Sequence, residues 1–231
     1  MKSSLLQQVL CERQAKRSFA LLTWLDGSRE ELLALDAYET NLPVGLAEQI
    51  KQAIRDDHSG VLEAVTGRLF VQVFHPPLRL IIVGAVHIAQ ALIPLARLLD
   101  YQITLIDPRQ AWVAESRFAD VDISTEWPDQ ALRELAPDTR SAVVTLSHDP
   151  KLDDPALQIA LTSTAFYIGS LGSRRTHAAR LQRLQESGIS AETLTRIRAP
   201  IGLAIGAKSP AEIALAIMAE ITQTLRQGKA A

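Results

Sequence analysis

The spacing of hydrophobic residues changes character at two successive prolines, Pro76 and Pro77. Before them, apolar positions recur in short stretches that predict both helices and strands, typical of a small α+β region. Because two adjacent prolines can continue neither a helix nor a strand, we place a domain boundary there, with regions over 1–76 and 77–231. The first region is predicted to contain helices over 4–16, 29–36 and 46–55 and strands over 19–25 and 68–74.

Beyond the prolines, strongly apolar strands alternate with longer amphipathic stretches. This alternation is the sequence form of βαβ units, so we predict an α/β fold with a Rossmann-like parallel sheet and flanking helices. The final helix is clearly marked, because Ser209, Pro210 and Glu212 have the spacing of a capping box. The strands are predicted over 78–83, 102–106, 141–146 and 166–168, and the helices from just after 84 to about 99, over 129–135 and 155–161, from 173 to 187, and from 209 onward.

Composition and charge narrow the class of protein. The chain has 231 residues and a net charge of −2, which removes any long-range attraction to nucleic acid or to an anionic membrane. No apolar run reaches the length of a membrane span, and the N-terminus lacks the features of a signal peptide. Cys11 is the single cysteine, which excludes an internal disulfide, and no metal-ligand spacing stands out. We therefore expect a cytoplasmic globular protein without a metal site of its own.

Four separate segments carry the candidate chemistry. In an open α/β sheet, ligands lie beyond the carboxyl ends of the strands, near helix N-termini whose free N–H groups attract anions. This rule gathers at one edge of the sheet the segments 84–87, 147–149, 169–175 and 202–208, which are far apart in sequence. Each segment is a weak signal alone, and their common position is the functional argument.

The first segment allows a dinucleotide-binding interpretation. Asp107 follows Gly84 by 23 residues, near the usual distance for an acid that binds a ribose. However, Val86 occupies the position where the fingerprint needs a glycine for close approach of a pyrophosphate. The segment, with Ala85 and His87, therefore fits either a nucleotide-binding turn or a tight strand-to-helix turn without a cofactor. An NAD(P)-binding oxidoreductase or sensor using Gly84 and Asp107 remains the alternative function.

The third segment, 169–175, favours binding of an anion. Gly169 and Gly172 follow a predicted strand, Ser173 begins a helix, and Arg174 and Arg175 lie in its first turn. Arginines near a helix N-terminus oppose the helix dipole, so two in succession are explained by a phosphate bound between them. The other interpretation is that both arginines pair with surface carboxylates.

The remaining two segments leave their roles open. Gly202 and Gly206 allow close backbone approach to a ligand, and Lys208 can place a charge on a phosphate, but a solvated loop that needs positive φ angles explains them equally well. His148 and Asp149 end a buried strand and could act as an acid/base pair or as a hydrogen-bonding clamp.

Taken together, these segments resemble the Rossmann-type domain of the XdhC/CoxI family, accessory proteins that mature molybdenum hydroxylases such as xanthine dehydrogenase. The resemblance covers about 68–226. It rests on LIIVGAVHIA (80–89), SHDPKLDD (147–154), YIGSLGSRRT (167–176) and APIGLAIGAKSPAEI (199–213).

The resemblance implies a chaperone that binds the molybdenum cofactor, rather than a turnover enzyme. This cofactor is molybdopterin, a pterin that carries a phosphate and in some forms a cytosine nucleotide. The family role also implies delivery to an apo molybdenum hydroxylase, a sulfurtransferase as a partner in maturation, and a homodimer. The third segment and the glycines and lysine of the fourth would then hold phosphate, and His148 and Asp149 would contact the pterin or the partner enzyme. A third possibility is a scaffold that docks on a molybdenum enzyme without cofactor.

The chain departs from the family pattern in two places. Relatives carry a Gly-Ser-x-Pro-Arg stretch and a Gly-Gly-Cys motif near the N-terminus, and neither occurs before residue 77; Cys11 matches no family position. Val86 stands where relatives tend to have glycine. These departures favour a short paralogue that retains part of the family activity.

Overall fold

The computed structural model describes residues 3–35, 41–65, 67–109, 118 and 121–227. It divides into two compact units, Met1–Pro76 and Pro77–Ala231. None of the helices within these described ranges is both long and apolar enough to span a bilayer.

The first unit is a four-stranded antiparallel sheet with one helix packed on its face. The strand order is β2-β1-β4-β3. The helix α2 buries Leu46, Ile50 and Ile54 against strand residues such as Leu22 and Leu69, which forms the core of this unit. The elements are α1 (Ser3–Gln14), β1 (Phe19–Trp24), β2 (Glu30–Ala34), α2 (Val44–Arg55), β3 (Gly60–Ala64) and β4 (Gly67–Phe74).

The predicted helix over 29–36 is wrong as far as the structure describes it, because this segment forms strand β2. Its glutamates, leucines and alanine have high intrinsic helix propensity. Pairing with β1 overrides that propensity, since the hairpin at Asp26 and Gly27 returns the chain antiparallel and buries Leu33 in the core. Asp36 lies outside the described residues. Strand β3 was not predicted, because its alternation is short and it lies at a sheet edge.

The second unit is a six-stranded, entirely parallel sheet with helices on both faces, which confirms the predicted α/β class. The strand order is β10-β9-β8-β5-β6-β7, so the connections change direction between β5 and β8. The elements are β5 (Arg79–Val83), α3 (His87–Leu98), β6 (Gln102–Ile106), β7 (Asp122–Ser124), α4 (Pro128–Leu135), β8 (Ser141–Thr145), α5 (Pro150–Thr162), β9 (Tyr167–Ser170), α6 (Arg174–Glu186), α7 (Ala191–Leu194), β10 (Ile197–Arg198) and α8 (Pro210–Gln227).

Strand β5 shows why this sheet needs helices on both sides. Leu80 and Ile82 belong to the core cluster shared with α3 and α8, while Ile81 and Val83 belong to the cluster shared with α4 and α5. A strand that is apolar at every position must be covered on both faces, as is usual for parallel sheets. The solid apolar run of the sequence thus determines the layered architecture.

The capping box of α8 is confirmed. The Glu212 backbone N–H donates to Ser209 Oγ over 3.2 Å, and the Ser209 N–H donates to Glu212 Oε2 over 2.9 Å. These bonds satisfy N–H groups that have no partner within the helix. They also anchor the start of α8 at the carboxyl edge of the sheet.

Two glycines predicted to hold phosphate instead permit close packing. A Cβ on Gly169 would lie 2.5 Å from Ile201 Cδ1, and a Cβ on Gly202 would lie 3.0 Å from the backbone of Ala216 in α8. The Gly202 N–H also donates to Glu220 Oε2 over 2.8 Å. The expectation that Gly169 and Gly202 face a ligand is therefore corrected: their missing side chains bring β9 and the segment after β10 against neighbouring residues.

This packing predicts the effect of Gly169→Ala. The added methyl group collides with Ile201 and with the ring of Tyr167, so we expect the substitution to lower the free energy of unfolding by about 1–3 kcal/mol, as overpacking of a core does. Urea unfolding of the full chain measures this change. Gly45→Ala is the matched control, because nothing lies within 4 Å of the added methyl in α2, and it should be neutral or stabilising by up to about 1 kcal/mol. Equal stability of the two variants would contradict the packing role of Gly169.

Candidate functional site

The loops after β5 and β8 touch at the point where the connections of the sheet change direction. Gly84 has a φ of +109°, and a Cβ there would lie 2.9 Å from the backbone nitrogen of Ser147. The Leu146 N–H donates to the Val83 carbonyl over 2.8 Å, which continues the strand pairing into this contact. Gly84 thus lets the two loops meet, so the structure shows the tight turn rather than a glycine open to a pyrophosphate. In dinucleotide-binding sheets this point is the ligand crevice.

Asp107 is committed to the protein itself. It is fully buried, and its Oδ2 accepts from the Ala85 N–H over 2.7 Å. Arg109 donates to the same carboxylate from Nε over 2.8 Å and from Nη2 over 2.7 Å. The predicted role of Asp107 and Ala85 in binding a ribose or pyrophosphate stays a prediction; in this structure both groups bind within the protein.

The electrostatics of Asp107 agree with this internal role. Burial alone would raise the pKa of its carboxyl group. The hydrogen bonds from Arg109 and Ala85, together with the positive charge of Arg109, outweigh burial and lower the pKa. Asp107 is accordingly an ionised anchor that fixes the β5 turn to the end of β6.

A polar cluster lies beside this contact, formed by the buried Asp153 and Arg180 and the half-buried Ser147 and His177. Only 1% of Asp153 and 2% of Arg180 is exposed. Ser147 Oγ donates to Asp153 Oδ1 over 2.6 Å, and Asp153 Oδ2 lies 3.7 Å from Arg180 Nη2. The ion pair is therefore close enough for a strong Coulomb attraction but too long for a hydrogen bond.

Several buried atoms of this cluster have no hydrogen-bond partner within the described residues. They are Asp153 Oδ2, His177 Nδ1, and Nε and Nη1 of Arg180. Burial raises the pKa of Asp153, and the Ser147 hydrogen bond and the charge of Arg180 offset it only in part. Burial also lowers the pKa of Arg180, against the opposing effect of Asp153 and Asp154. Unpaired buried donors next to a loop are costly, so they mark a place where a bound molecule can complete the bonding.

The guanidinium of Arg180 lies directly beneath the glycine loop that follows β9. Its Nη2 donates to the Leu171 carbonyl over 2.9 Å, and a Cβ on Gly172 would lie 3.7 Å from the same nitrogen. Gly172 has a φ of +138°, which a residue with a side chain would rarely adopt. Ser173 Oγ accepts from the Thr176 N–H over 3.2 Å, which confirms Ser173 as the N-cap of α6.

Arg174 and Arg175 occupy the exposed first turn of α6, as predicted. Neither forms an ion pair with any carboxylate among the residues that the structure describes, so the interpretation as surface salt bridges finds no support there. The loop thus has a helix N-terminus and two exposed arginines at its rim and a buried arginine below. This arrangement is positive on both sides and suits an anion.

Two predicted residues after β8 take different roles. His148 is exposed and has a φ of +60°. Asp149 is the N-cap of α5, where its Oδ1 accepts from the Lys151 N–H over 2.9 Å. Asp149 thus has a structural role as a helix cap, and its acid/base or clamping role stays a prediction.

The first turn of α3 and the loop before α8 lie at the surface. His87 is the exposed first residue of α3, and Val86 is its N-cap residue without a side-chain hydrogen bond. Gly206 has a φ of +78° and open space around it, while the Lys208 N–H donates to Glu212 Oε2 over 2.7 Å. The Lys208 side chain is exposed, so it can reach an anion at this edge, but no contact joins it to the buried cluster within the described ranges.

Sequence reasoning missed Asp153, Arg180 and Arg109. A signal for Arg180 existed, because it precedes the buried Leu184 by four residues and therefore lies on the packed face of α6. A charged residue on the apolar face of a helix that follows a glycine loop is a candidate for a buried functional group. Asp153 and Arg109 had no comparable signal, since their burial depends on the neighbouring loops.

Comparison with known proteins relates the second unit to one protein family. The family model described as the XdhC Rossmann domain matches residues 80–221, more than half of the chain. The chain is 39% identical over 128 residues to the molybdenum cofactor insertion chaperone PaoD of Escherichia coli, which is 55% of this chain and 40% of that protein. It is 28% identical over 204 residues to a probable xanthine dehydrogenase subunit of Bacillus subtilis, 88% of this chain and 59% of that protein.

One solved structure resembles the chain over nearly its whole length. A crystal structure described as a xanthine dehydrogenase from Bacillus halodurans superposes with a TM-score of 0.69 at 23% identity, covering 98% of this chain and 65% of that one. At this identity the likeness supports the fold alone. The chain spans about half the length of these two curated relatives, 40% of one and 59% of the other.

The two buried aspartates predict opposite responses of stability to pH. The lowered pKa of Asp107 means that its ionised form stabilises the fold above 3.8, its ordinary value, and that this contribution is lost as pH falls through the lowered pKa. The raised pKa of Asp153 means that its ionised form costs stability above that raised pKa, and that this cost disappears as pH falls toward 3.8.

We therefore expect the two asparagine variants to diverge on acidification. From near-neutral pH to about pH 3, the stability of the wild type relative to Asp107→Asn should fall, while its stability relative to Asp153→Asn should first rise. Urea unfolding at a series of pH values measures both differences, and only their slopes are compared. The same slope for both variants would show that the two carboxylates do not differ as described.

Proposed function

The chain belongs to the XdhC Rossmann-domain family, and on this premise we propose that it is a chaperone that binds the molybdenum cofactor and delivers it to a molybdenum hydroxylase of the xanthine dehydrogenase type. The family match and the likeness to a molybdenum cofactor insertion chaperone support this role. The cofactor is cargo here rather than a resident catalytic group. The proposal concerns the second unit, where the matched residues lie.

The observation that carries the proposal is the buried guanidinium of Arg180 under the loop of Gly172 and Ser173. Its Nε and Nη1 are buried without a hydrogen-bond partner among the described residues, and the carboxylate of Asp153 lies 3.7 Å from its Nη2. The N–H groups at the start of α6 add a positive potential above it. An anionic group of the cargo, its phosphate above all, would receive hydrogen bonds from the loop and charge from below.

Exposed and buried cations would hold such an anion in different ways. Arg174 and Arg175 are exposed at the rim of the glycine loop, where they would attract the phosphate and donate hydrogen bonds to it. Arg180 is fixed by the Leu171 carbonyl and by Asp153, so it would supply a charge that needs little rearrangement. Lys208 at the neighbouring loop would add a mobile charge.

The geometry at β5 favours this cargo over NAD(P). Asp107 is buried and bonded to Ala85 and Arg109, and Gly84 packs on Ser147, so the two features of the dinucleotide fingerprint are used internally. An anion site at α6 requires neither of them. We propose molybdopterin as the minimal ligand, with the cytosine dinucleotide form as the larger variant that the same phosphate site would accept.

The partners follow from the family role. We propose an apo molybdenum hydroxylase as the client, a sulfurtransferase as the source of the terminal sulfur, a homodimer as the working state, and the cytoplasm as the location. Ile205 in the loop before α8 and Leu215 within α8 are exposed apolar side chains that a client protein would contact. His148, exposed at the same edge of the sheet, would contact the pterin or the client.

Arg174→Ala combined with Arg175→Ala tests the proposal. Both side chains are exposed, so the fold should persist, while cofactor retention should fall by at least about tenfold, since one hydrogen bond to a charged group is worth about 1.5–3 kcal/mol. The measurement is the molybdopterin bound per chain after gel filtration, determined by the fluorescence of its oxidised pterin. Arg55→Ala combined with Arg68→Ala is the control, because it removes the same charge from exposed positions of the first unit.

Two results would contradict the proposal. Unchanged molybdopterin retention in the double variant, with the control also unchanged, would show that the rim arginines do not hold the cargo. Micromolar binding of NADPH or NADH in a fluorescence titration, without molybdopterin binding, would favour the alternative of a nucleotide-binding oxidoreductase or sensor.

A further inference from the structure

A cavity lies at the amino ends of β9 and β10. This is the end of the sheet opposite to the glycine loop that follows β9. Its volume is about 350 Å³, within the range of cavities that bind small molecules. Since the strands are parallel and the glycine loop follows the carboxyl end of β9, the strand separates this cavity from the proposed cargo site. We call it the edge cavity; it is lined by Ala165, Phe166, Tyr167, Ile168, Thr195, Arg196, Arg198 and Thr224.

Arg196 gives the edge cavity a fixed positive charge. Its Nη1 donates to the carbonyls of Leu161 and Ser163 over 2.7 and 2.9 Å, and its Nη2 donates to the carbonyl of Ala165 over 2.8 Å. These acceptors are neutral, and no carboxylate of the described residues forms an ion pair with this guanidinium. The side chain is therefore held rigidly while its charge is not neutralised.

Arg198 adds a second charge with open donors. Its side chain is half-buried, and among the described residues it forms neither a hydrogen bond nor an ion pair through its guanidinium. The carboxylate of Glu220 accepts through Oε2 from Tyr167 Oη over 2.6 Å and from the Gly202 N–H over 2.8 Å, and it forms no ion pair with Arg198. A half-buried arginine without a counter-charge has its full hydrogen-bonding capacity left for a ligand.

The other polar groups of the cavity do not compete with the arginines. Thr195 Oγ1 donates to the Glu192 carbonyl, and Thr224 Oγ1 donates to the Glu220 carbonyl. Their protons are used locally, so recognition of charge rests on Arg196 and Arg198. Phe166 supplies an apolar wall against which a carbon skeleton can pack.

From these observations we propose that the edge cavity binds a small molecule through an oxyanion group, a phosphate or a carboxylate, held by the guanidinium of Arg198 with Arg196 behind it. The planar guanidinium donates two parallel hydrogen bonds to either oxyanion, which fixes orientation as well as charge. The site is separate from the cargo site, so it does not depend on the proposed chaperone function. It would let a small anionic ligand bind the domain while cargo occupies the other end of the sheet.

The test follows residue-resolved NMR signals of the full, isotope-labelled chain carrying Arg174→Ala and Arg175→Ala, so that the proposed cargo site does not contribute. Inorganic phosphate and sodium acetate are titrated separately at constant ionic strength against sodium chloride. We expect saturable shifts of the backbone amides of Phe166, Ile168 and Arg198 with phosphate or acetate and none with chloride. The anion that saturates identifies a phosphate or a carboxylate as the group recognised.

Variants of Arg198 decide the outcome. In the same background, Arg198→Gln should weaken binding at least tenfold, Arg198→Lys should retain part of it because the charge remains, and Arg133→Gln should leave it unchanged as an exposed charge-matched control on α4. The proposal is overturned if neither anion gives saturable shifts, if chloride gives the same shifts, or if Arg198→Gln binds as tightly as the control. Failure here would leave the chaperone proposal intact, because that proposal is tested by molybdopterin retention.

Discussion

The buried guanidinium of Arg180 is the charge around which the interior of the second unit is arranged. It joins the glycine loop after β9 to α5, and through Asp153 to Ser147 just after β8. The guanidinium supports the loop through the Leu171 carbonyl and faces Asp153, which in turn accepts from Ser147. Removing one partner of a buried ion pair costs about 3–5 kcal/mol, because the other charge is left without compensation. The pair is incomplete at 3.7 Å, so the protein holds a desolvated cation whose remaining donors can be satisfied by a ligand.

The same sheet shows how a dinucleotide-type fold can change its ligand. The strand order and the parallel pairing provide an edge at which loops and helix N-termini converge. At β5, however, the expected contacts are internal, since Asp107 binds Ala85 and Arg109, and Gly84 touches Ser147. The cationic groups at this edge lie instead at the loop after β9 and at the start of α6. Under the proposed function, such a site would hold the cargo by its anionic end.

The family match covers the second unit only. The matched residues 80–221 lie within the second unit, whereas the first unit carries its own antiparallel sheet and core. The chain spans 40% and 59% of the two curated relatives, and the N-terminal family motifs expected from the resemblance do not occur before residue 77. The cargo site proposed above, at the loop after β9, lies within the matched part of the chain.

Local sequence signals predicted β5, β6, β8 and β9, the capping box of α8 and the N-cap at Ser173, because hydrophobic period and capping chemistry act over a few residues. They did not predict the short strands β7 and β10. They failed for β2, where pairing with β1 overrides helix propensity. Gly169 and Gly202 looked like ligand glycines, and only the packing of Ile201 and α8 showed otherwise. The burial of Arg180 and Asp153 likewise depends on three distant loops meeting, which no local pattern encodes. The chain therefore encodes its layers locally, whereas the charge balance of its site is decided by contacts between segments far apart in sequence.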